Sequence, residues 1–307
     1  MHVVAQRGML GRELDVVALH EARDFTGASP RRRRLITFHK INISVDLEEY
    51  DTFDPMWTER QAIEIFHLHF LRSFGARVDK SLFALKGGCN LRFYHRSVRY
   101  SEDMDLDIRT IALGTLRSNV ESVLEATAFR QALRVQQLEI MEFTAPKQTQ
   151  TTQRWKIQLR LLEPQASLPT KIEFSRRTLD DGLELAPVEP SLIGRYRLYP
   201  VLVQHYGVSA AFAQKVAALA LRAETQARDI FDLKLLADAG GAAKPLPKSQ
   251  VEQLPKAIEN AMAIGFEEFA GQVVAFLEPE HQADYAGRAA WNTLQEKVVD
   301  LLQGMKP

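Results

Sequence analysis

Several things are scarce in this chain. Among its 307 residues there is one cysteine, Cys89, so no intramolecular disulfide can form. A secreted disulfide scaffold is excluded, and a reducing cytoplasm is the expected setting. There is no net charge: Lys+Arg and Asp+Glu each number 39. No whole-surface attraction to nucleic acid is expected, and any such contact must come from a local basic patch. No run approaches the roughly 18–20 apolar residues of a membrane span. Residues 1–15 have no apolar core after a basic start, so no export signal is expected. The eight histidines include no i, i+4 pair with a glutamate between them, which removes one class of metal hydrolase. A G-x-S-x-G elbow is also missing, which removes the Ser-His-Asp hydrolases. No internal repeat is visible.

What is present is an ordinary globular balance, 46% hydrophobic and 25% charged, at a length that supports a sizeable core. Residues 12–27 read as a weak helix and 35–45 as a strand. Between them Arg31, Arg32, Arg33 and Arg34 form either a solvated loop or a basic arm for phosphates. Residues 57–74 read as an amphipathic helix with a broad apolar face, and Thr58 with Gln61 resembles a capping box. His67 and His69 cannot share a helix face at that spacing, so they are expected to pack or to sit at the surface.

The densest block comes next. Residues 81–85 (SLFAL) predict a short strand, Lys86-Gly87-Gly88 a turn, and 90–94 (NLRFY) the start of a short helix. DMDLDI, residues 103–108, alternates strictly and predicts a strand. A helix is expected at 113–127, and strands at 138–143, 155–162 and 170–175. The stretch 180–190, with Gly182, Pro187 and Pro190, is the expected domain boundary. Beyond it the periodicity is helical over 209–222, 225–238, 249–264, 266–276 and 281–303. The expected organisation is an α+β domain over 1–190 and a helical domain over 191–307.

Period-two alternation places Asp103, Asp105 and Asp107 on one strand face, with Met104, Leu106 and Ile108 facing the core. Carboxylates this close repel one another, and at least one pKa rises unless a cation is present. Mg²⁺ takes oxygen ligands and relieves that repulsion. The glycines upstream allow close backbone approach, and a helix N-terminus favours phosphate. A glycine turn beside a carboxylate pair suits a nucleoside triphosphate with Mg²⁺, and two metal ions can clamp an in-line displacement. Asp103 and Asp105 are the expected ligands. Asp107 is equally readable as a surface residue at the strand end.

The block KGGCNLRFYHRSVRYSEDMDLDI resembles the first motif of the AbiEii/AbiGii toxin family, within the polymerase-β-type nucleotidyltransferase superfamily. Three later stretches extend the resemblance over roughly residues 80–240: Lys171-Ile172-Glu173-Phe174, Lys215-Val216-Ala217-Ala218-Leu219, and Arg228-Asp229-Ile230-Phe231-Asp232-Leu233. It implies an α+β fold: a polymerase-β-like nucleotidyltransferase domain with a mixed sheet, then a mainly helical C-terminal domain. It implies Gly87 and Gly88 near the triphosphate, and Ser101 as a hydrogen-bond partner of phosphate. Asp103, Asp105 and Glu173 become the metal-binding set, with Glu173 as base for the incoming hydroxyl. Lys215 becomes a phosphate contact, with Asp229 and Asp232 orienting Lys215 or the nucleotide. Lys86 and Arg99 flank the turn and the acidic strand, where they can reach the triphosphate or the acceptor. Arg92 and Arg96 read as surface charges.

Two positions depart from the family pattern. Cys89 stands where a hydroxyl residue is usual, and it reads as a small buried residue. Glu173 stands where the wider superfamily has Asp. The resemblance implies an enzyme that moves a nucleoside monophosphate from an NTP, with Mg²⁺, to an acceptor. It further implies the toxin of a toxin–antitoxin or phage-defence pair, with a cognate antitoxin and with tRNA as the first acceptor to consider. Transfer to a protein or small-molecule hydroxyl, and nucleotide binding without catalysis, are the alternatives.

Overall fold

The computed structural model describes residues 57–176, 179 and 181–305. The expectations for 12–27, for 35–45 and for Arg31, Arg32, Arg33 and Arg34 lie outside the described residues. The described residues form one compact unit. Among the described residues no helix is long and apolar enough to cross a membrane.

Helix α1 (Glu59–Arg77) opens on the expected capping box. The Thr58 hydroxyl accepts from the Gln61 N–H at 3.3 Å, and the Gln61 side chain accepts from the Thr58 N–H at 3.0 Å. This satisfies two of the donors that a helix start leaves unpaired. Phe66, Phe70 and Phe74 of α1 are fully buried, each worth roughly 1.5–3 kcal/mol of apolar burial. The chain continues through β1 (Phe83–Lys86), α2 (Gly87–Tyr94), β2 (Asp103–Ile108), α3 (Leu113–Glu125) and α4 (Thr127–Val135). Next come β3 (Leu138–Gln148), β4 (Thr152–Leu161), β5 (Ala166–Ser175), β6 (Leu183–Pro187), α5 (Pro190–Arg195) and β7 (Leu202–Tyr206). Helices α6 (Val208–Leu221), α7 (Ala227–Asp238), α8 (Lys248–Ala263), α9 (Phe266–Gln272), α10 (Pro279–Tyr285) and α11 (Arg288–Gly304) complete the described residues.

The strands form one seven-stranded sheet in the order β3-β4-β5-β2-β1-β7-β6. Pairings β2–β5 and β1–β7 are parallel and the others antiparallel, so the sheet is mixed, as expected. Its two faces are buried differently. Leu85, Met104, Leu106, Trp155, Ile172 and Val203 join α1, α3 and α4 in one core cluster. Ala84 and Tyr206, on the other face, join the apolar sides of α6, α7, α8 and α11 in a second.

Several elements differ from the sequence expectation. The strand expected at 81–85 begins at Phe83, because Asp79 caps a single 3₁₀ turn over Lys80–Leu82. Gly87 and Gly88 are the first residues of α2 rather than a separate turn. The expected helix at 113–127 stops at Glu125, and α4 follows at once. The 180–190 stretch contains β6, and the sheet's last strand in chain order, β7, lies beyond residue 190.

Candidate active site

Strand β2 carries the acidic row at the centre of the sheet. Its neighbours are β1, where Lys86 is the register partner of Asp105, and β5, where Glu173 is the register partner of Asp105 and Lys171 of Asp103. Asp103, Asp105 and Glu173 therefore share one face across two adjacent parallel strands, and all three are half-buried.

Each outer carboxylate has a cation of its own. Lys171 Nζ donates to Asp103 Oδ2 at 2.5 Å, and Arg154 Nε to Glu173 Oε2 at 2.5 Å. Asp105 lies between them. Burial pushes its carboxyl above the ordinary range, and nearby Asp103 and Glu173 add to that; Lys86 and Lys171 pull the other way. The oxygens of the three are not gathered within 4.8 Å of one another, as the donor atoms of Glu278, Glu280 and His281 are. In that second group Glu278 already serves Arg92, at 2.7 Å, and Arg195. It is a structural anchor of the α10 start.

Asp107 is neither a surface residue nor part of the open row. It is buried, accepts the Tyr206 hydroxyl at 2.7 Å, and pairs with Lys86. Lys86 also donates to Ser175 Oγ at 2.8 Å. Lys86 and Asp107 together pin β1, β2, β5 and β7 beneath the row.

The glycines shape the other flank of β2. Gly87 has φ +66°, a left-handed conformation that L side chains rarely adopt, and a Cβ there would lie 3.0 Å from Asp105 Oδ2. A Cβ on Gly88 would lie 2.5 Å from Ser101 Oγ. Ser101 in turn donates to the Asp103 carbonyl at 2.9 Å. The start of α2 thus presses against both the central carboxylate and the Ser101 loop.

Lys215, Asp229 and Asp232 come together, as the resemblance implies. Lys215 Nζ, on α6, reaches Asp229 Oδ1 at 2.8 Å and Asp232 Oδ2 at 2.6 Å, both on α7. Arg99 contacts both oxygens of Asp232 at 3.0–3.3 Å, and Arg222 lies 2.9 Å from Asp229 Oδ2. Burial opposes ionisation of Asp232, but Arg99 and Lys215 outweigh it and hold the carboxyl below its ordinary range. Three cations face two carboxylates here, which leaves an excess positive charge. The cluster joins the glycine flank through Arg99, whose Nη2 lies 3.4 Å from the Cβ position of Gly88.

The sequence of the chain matches the profile of a nucleotidyltransferase AbiEii toxin of type IV toxin–antitoxin systems over residues 69–303. The chain belongs to the AbiEii nucleotidyltransferase toxin family. It is a nucleotidyltransferase. Among solved structures it is similar to MenT4, a nucleotidyltransferase toxin of Mycobacterium tuberculosis: TM-score 0.56, 18% identity, 80% of this chain and 86% of that one. It is also similar to JHP933 of Helicobacter pylori: TM-score 0.51, 16% identity, 81% of this chain and 96% of that one. At these identities the likeness concerns the fold. No curated protein sequence matches the chain.

Sequence reasoning missed three cations of this AbiEii protein's site. Arg154 meets Glu173 through the β4–β5 register, which a single sequence does not reveal. Arg222 follows α6, where only the fold brings it to α7. Lys171 stands in the Lys171-Ile172-Glu173-Phe174 stretch, but its pairing with Asp103 comes from the β2–β5 register. Arg92, read as a surface charge, is buried between Glu64, at 2.6 Å, and Glu278. Arg96 is exposed beside Glu189, as read. Cys89 is buried, with its thiol 3.5 Å from His67 Nδ1 and 3.3 Å from the Asp103 carbonyl.

Proposed function

We propose that this AbiEii protein transfers a nucleoside monophosphate from an NTP to an acceptor hydroxyl in the cytoplasm, with Mg²⁺, and that the acceptor is tRNA. The observation that carries the reading is the placement of Asp105: between Asp103 and Glu173, against the Gly87 backbone, with its own carboxyl raised by burial. In donor chemistry, though not in spacing, these groups suit a hard divalent cation. They are all oxygens, they face one way, and lysine and arginine charges already balance the two outer ones. Asp103, Asp105 and Glu173 would hold the metal. The chemistry supplied by bound Mg²⁺ is charge neutralisation of the triphosphate and of the leaving pyrophosphate.

The chain's own residues divide the remaining work. The backbone of Gly87 and Gly88 leaves room for the triphosphate at the start of α2. Ser101 supplies a hydroxyl beside it. Arg99 and Lys215, held in place by Asp232 and Asp229, bring excess positive charge to that flank, and Lys86 supports the row from β1. Glu173 accepts the proton of the acceptor hydroxyl as its oxygen bonds to the α-phosphorus. The bond from that phosphorus to the bridging oxygen breaks, and pyrophosphate leaves. On the opposite flank of β2 a cavity of about 460 Å³ opens beside Asp103, lined among others by Phe143, Lys156, Thr170 and Lys171. It offers the acceptor a route that does not cross the triphosphate. The protein acts as the toxin of a pair, and a cognate antitoxin is its expected protein partner.

The test is incubation with each labelled NTP, Mg²⁺ and total tRNA, beside Asp105→Ala. Label in tRNA that requires Asp105 is the expected result. Labelled protein or small molecule with unlabelled tRNA would replace the acceptor. NTP binding without any transfer would remove the catalytic reading.

A further inference from the structure

The sheet register carries two rows of side chains outward from β2, across β5 and β4, to the edge strand β3. One row runs Asp103, Lys171, Lys156, Thr144, and the other Asp105, Glu173, Arg154, Lys147. All project from one face, because Met104, Ile172 and Trp155 between them join the first core cluster on the other. The helices of the second core cluster meet this face at Ala84 of β1 and Tyr206 of β7. Over β3 and β4 the face is open, with Thr144, Lys147 and Lys156 exposed.

The rows set like charges against each other. Lys156 stands directly opposite Lys171, and Arg154 directly opposite Lys147. Neighbouring strands are about 4.8 Å apart, and like charges directly opposite destabilise a sheet. Arg154 and Lys171 offset part of this through Glu173 and Asp103, each at 2.5 Å. Lys147 and Lys156 make no ion pair and no side-chain hydrogen bond among the described residues. Lysines on edge strands commonly block edge-to-edge pairing, which accounts for Lys147 alone. Arg154, Lys156 and Lys171 stand on the interior strands β4 and β5, where no edge needs protection.

We propose that Lys147, Arg154, Lys156 and Lys171 bind the phosphodiester backbone of the RNA acceptor and lead its terminal hydroxyl across the sheet to Glu173. The inference rests on the acceptor being RNA and names the surface that holds it. Phosphates supply the anions that the two like-charged pairs lack. Glu142, opposite Gln158 one pair beyond Lys156, bounds the patch. Lys156 and Lys171 also line the cavity beside Asp103, so the patch runs without a break into the acceptor route. Contacts of this kind position a nucleic acid and carry no sequence information directly.

The experiment measures binding of fluorescently labelled total tRNA to the full chain by anisotropy, without NTP or metal, over a series of salt concentrations. The double variant Lys147→Gln/Lys156→Gln is compared with the wild type. The wild type is expected to bind with an affinity that falls as salt rises. In the variant the slope of log K against log salt is expected to be shallower by about 1.4–1.8, from two lost phosphate contacts at about 0.7–0.9 each. Its affinity at low salt is expected to drop by about tenfold or more. Its unfolding midpoint in urea is expected to rise, because two like-charged pairs are relieved. Equal tRNA affinity and slope in the variant, a lowered midpoint, or no tRNA binding by the wild type would each overturn the proposal. Labelled tRNA with binding unchanged in the variant would remove this surface and leave the transfer reading standing. Binding lost in the variant, with no label entering tRNA, would keep the surface as an RNA-binding face and remove tRNA as acceptor.

Discussion

Arg99 grips Asp232 through contacts from two of its nitrogens to both carboxylate oxygens, although the two residues are 133 positions apart in the chain. The pair is fully enclosed and fastens α7 against the glycine flank of the acidic row. Removing one partner leaves a buried charge uncompensated, which costs about 3–5 kcal/mol. Asp232→Ala is therefore expected to lower unfolding stability by that order, with the midpoint shift read in urea. An unchanged midpoint would show that Arg99 and Lys215 find other partners.

Gly88 and Ser101 are in closer contact than any side chain at residue 88 tolerates. Gly88→Ala is expected to displace the Ser101 loop and to reduce transfer. Adding Ser101→Gly removes the clash and should restore the unfolding midpoint without restoring full transfer, since the hydroxyl is gone. Gly87→Ala differs, because no second change relieves its backbone: left-handed conformation costs a non-glycine residue about 1–2 kcal/mol. Circular dichroism melts of the three variants separate the two effects.

The raised carboxyl of Asp105 has a sign that can be checked. An acid whose folded pKa lies above its unfolded value favours the folded state most at low pH, and the contribution is lost as pH rises through the folded pKa. Asp105→Asn is therefore expected to stabilise the metal-free protein at neutral pH while abolishing transfer. In the wild type, Mn²⁺ binding should weaken as pH falls into the window just above the ordinary carboxylate pKa, because the metal must then displace a proton. Thermal melts of Asp105→Asn at neutral pH read the first effect, and calorimetric titration with Mn²⁺ across that window reads the second.

Lys171 pairs with Asp103 across the β2–β5 register. Replacing it with methionine removes a competing cation at little cost in stability, since the pair is partly exposed. Lys171→Met is expected to bind Mn²⁺ more tightly than the wild type, by electron paramagnetic resonance titration. Weaker binding would mean that Lys171 orients Asp103 rather than competing for it.

His67 carries an acid-sensitivity prediction. Burial lowers its pKa to about 3, and it stays neutral beside Thr170 Oγ1 at 2.8 Å. A base with a depressed folded pKa contributes stability that is complete above its unfolded pKa of about 6.5 and is lost as pH falls toward 3. The shift corresponds to roughly 4–5 kcal/mol at the acid limit. His67→Gln should flatten the acid limb of the stability curve.

Local signals in the sequence were readable where one element carries the whole pattern. The alternation of DMDLDI gave β2 and its two faces, and the Thr58–Gln61 box gave the start of α1. Strands β6 and β7 escaped because each has five residues, and β6 is a half-exposed edge strand that ends in proline. Pairings between distant segments escaped as well. Arg154 with Glu173, Lys171 with Asp103 and Arg99 with Asp232 depend on sheet register and helix packing, which no periodicity encodes. Asp107 shows the limit most clearly. Its strand position was readable, but only the approach of Tyr206 and Lys86 makes it an internal brace.

Cys89, the one thiol of the chain, stands sealed between His67 and the Asp103 carbonyl, and burial raises its pKa well above the ordinary value. A thiol in that state is inert to alkylating reagents until the wall around it opens. The protein thus carries its own clock: labelling of Cys89 should advance only as fast as β2 and α2 part, timing the opening of the acidic row from within.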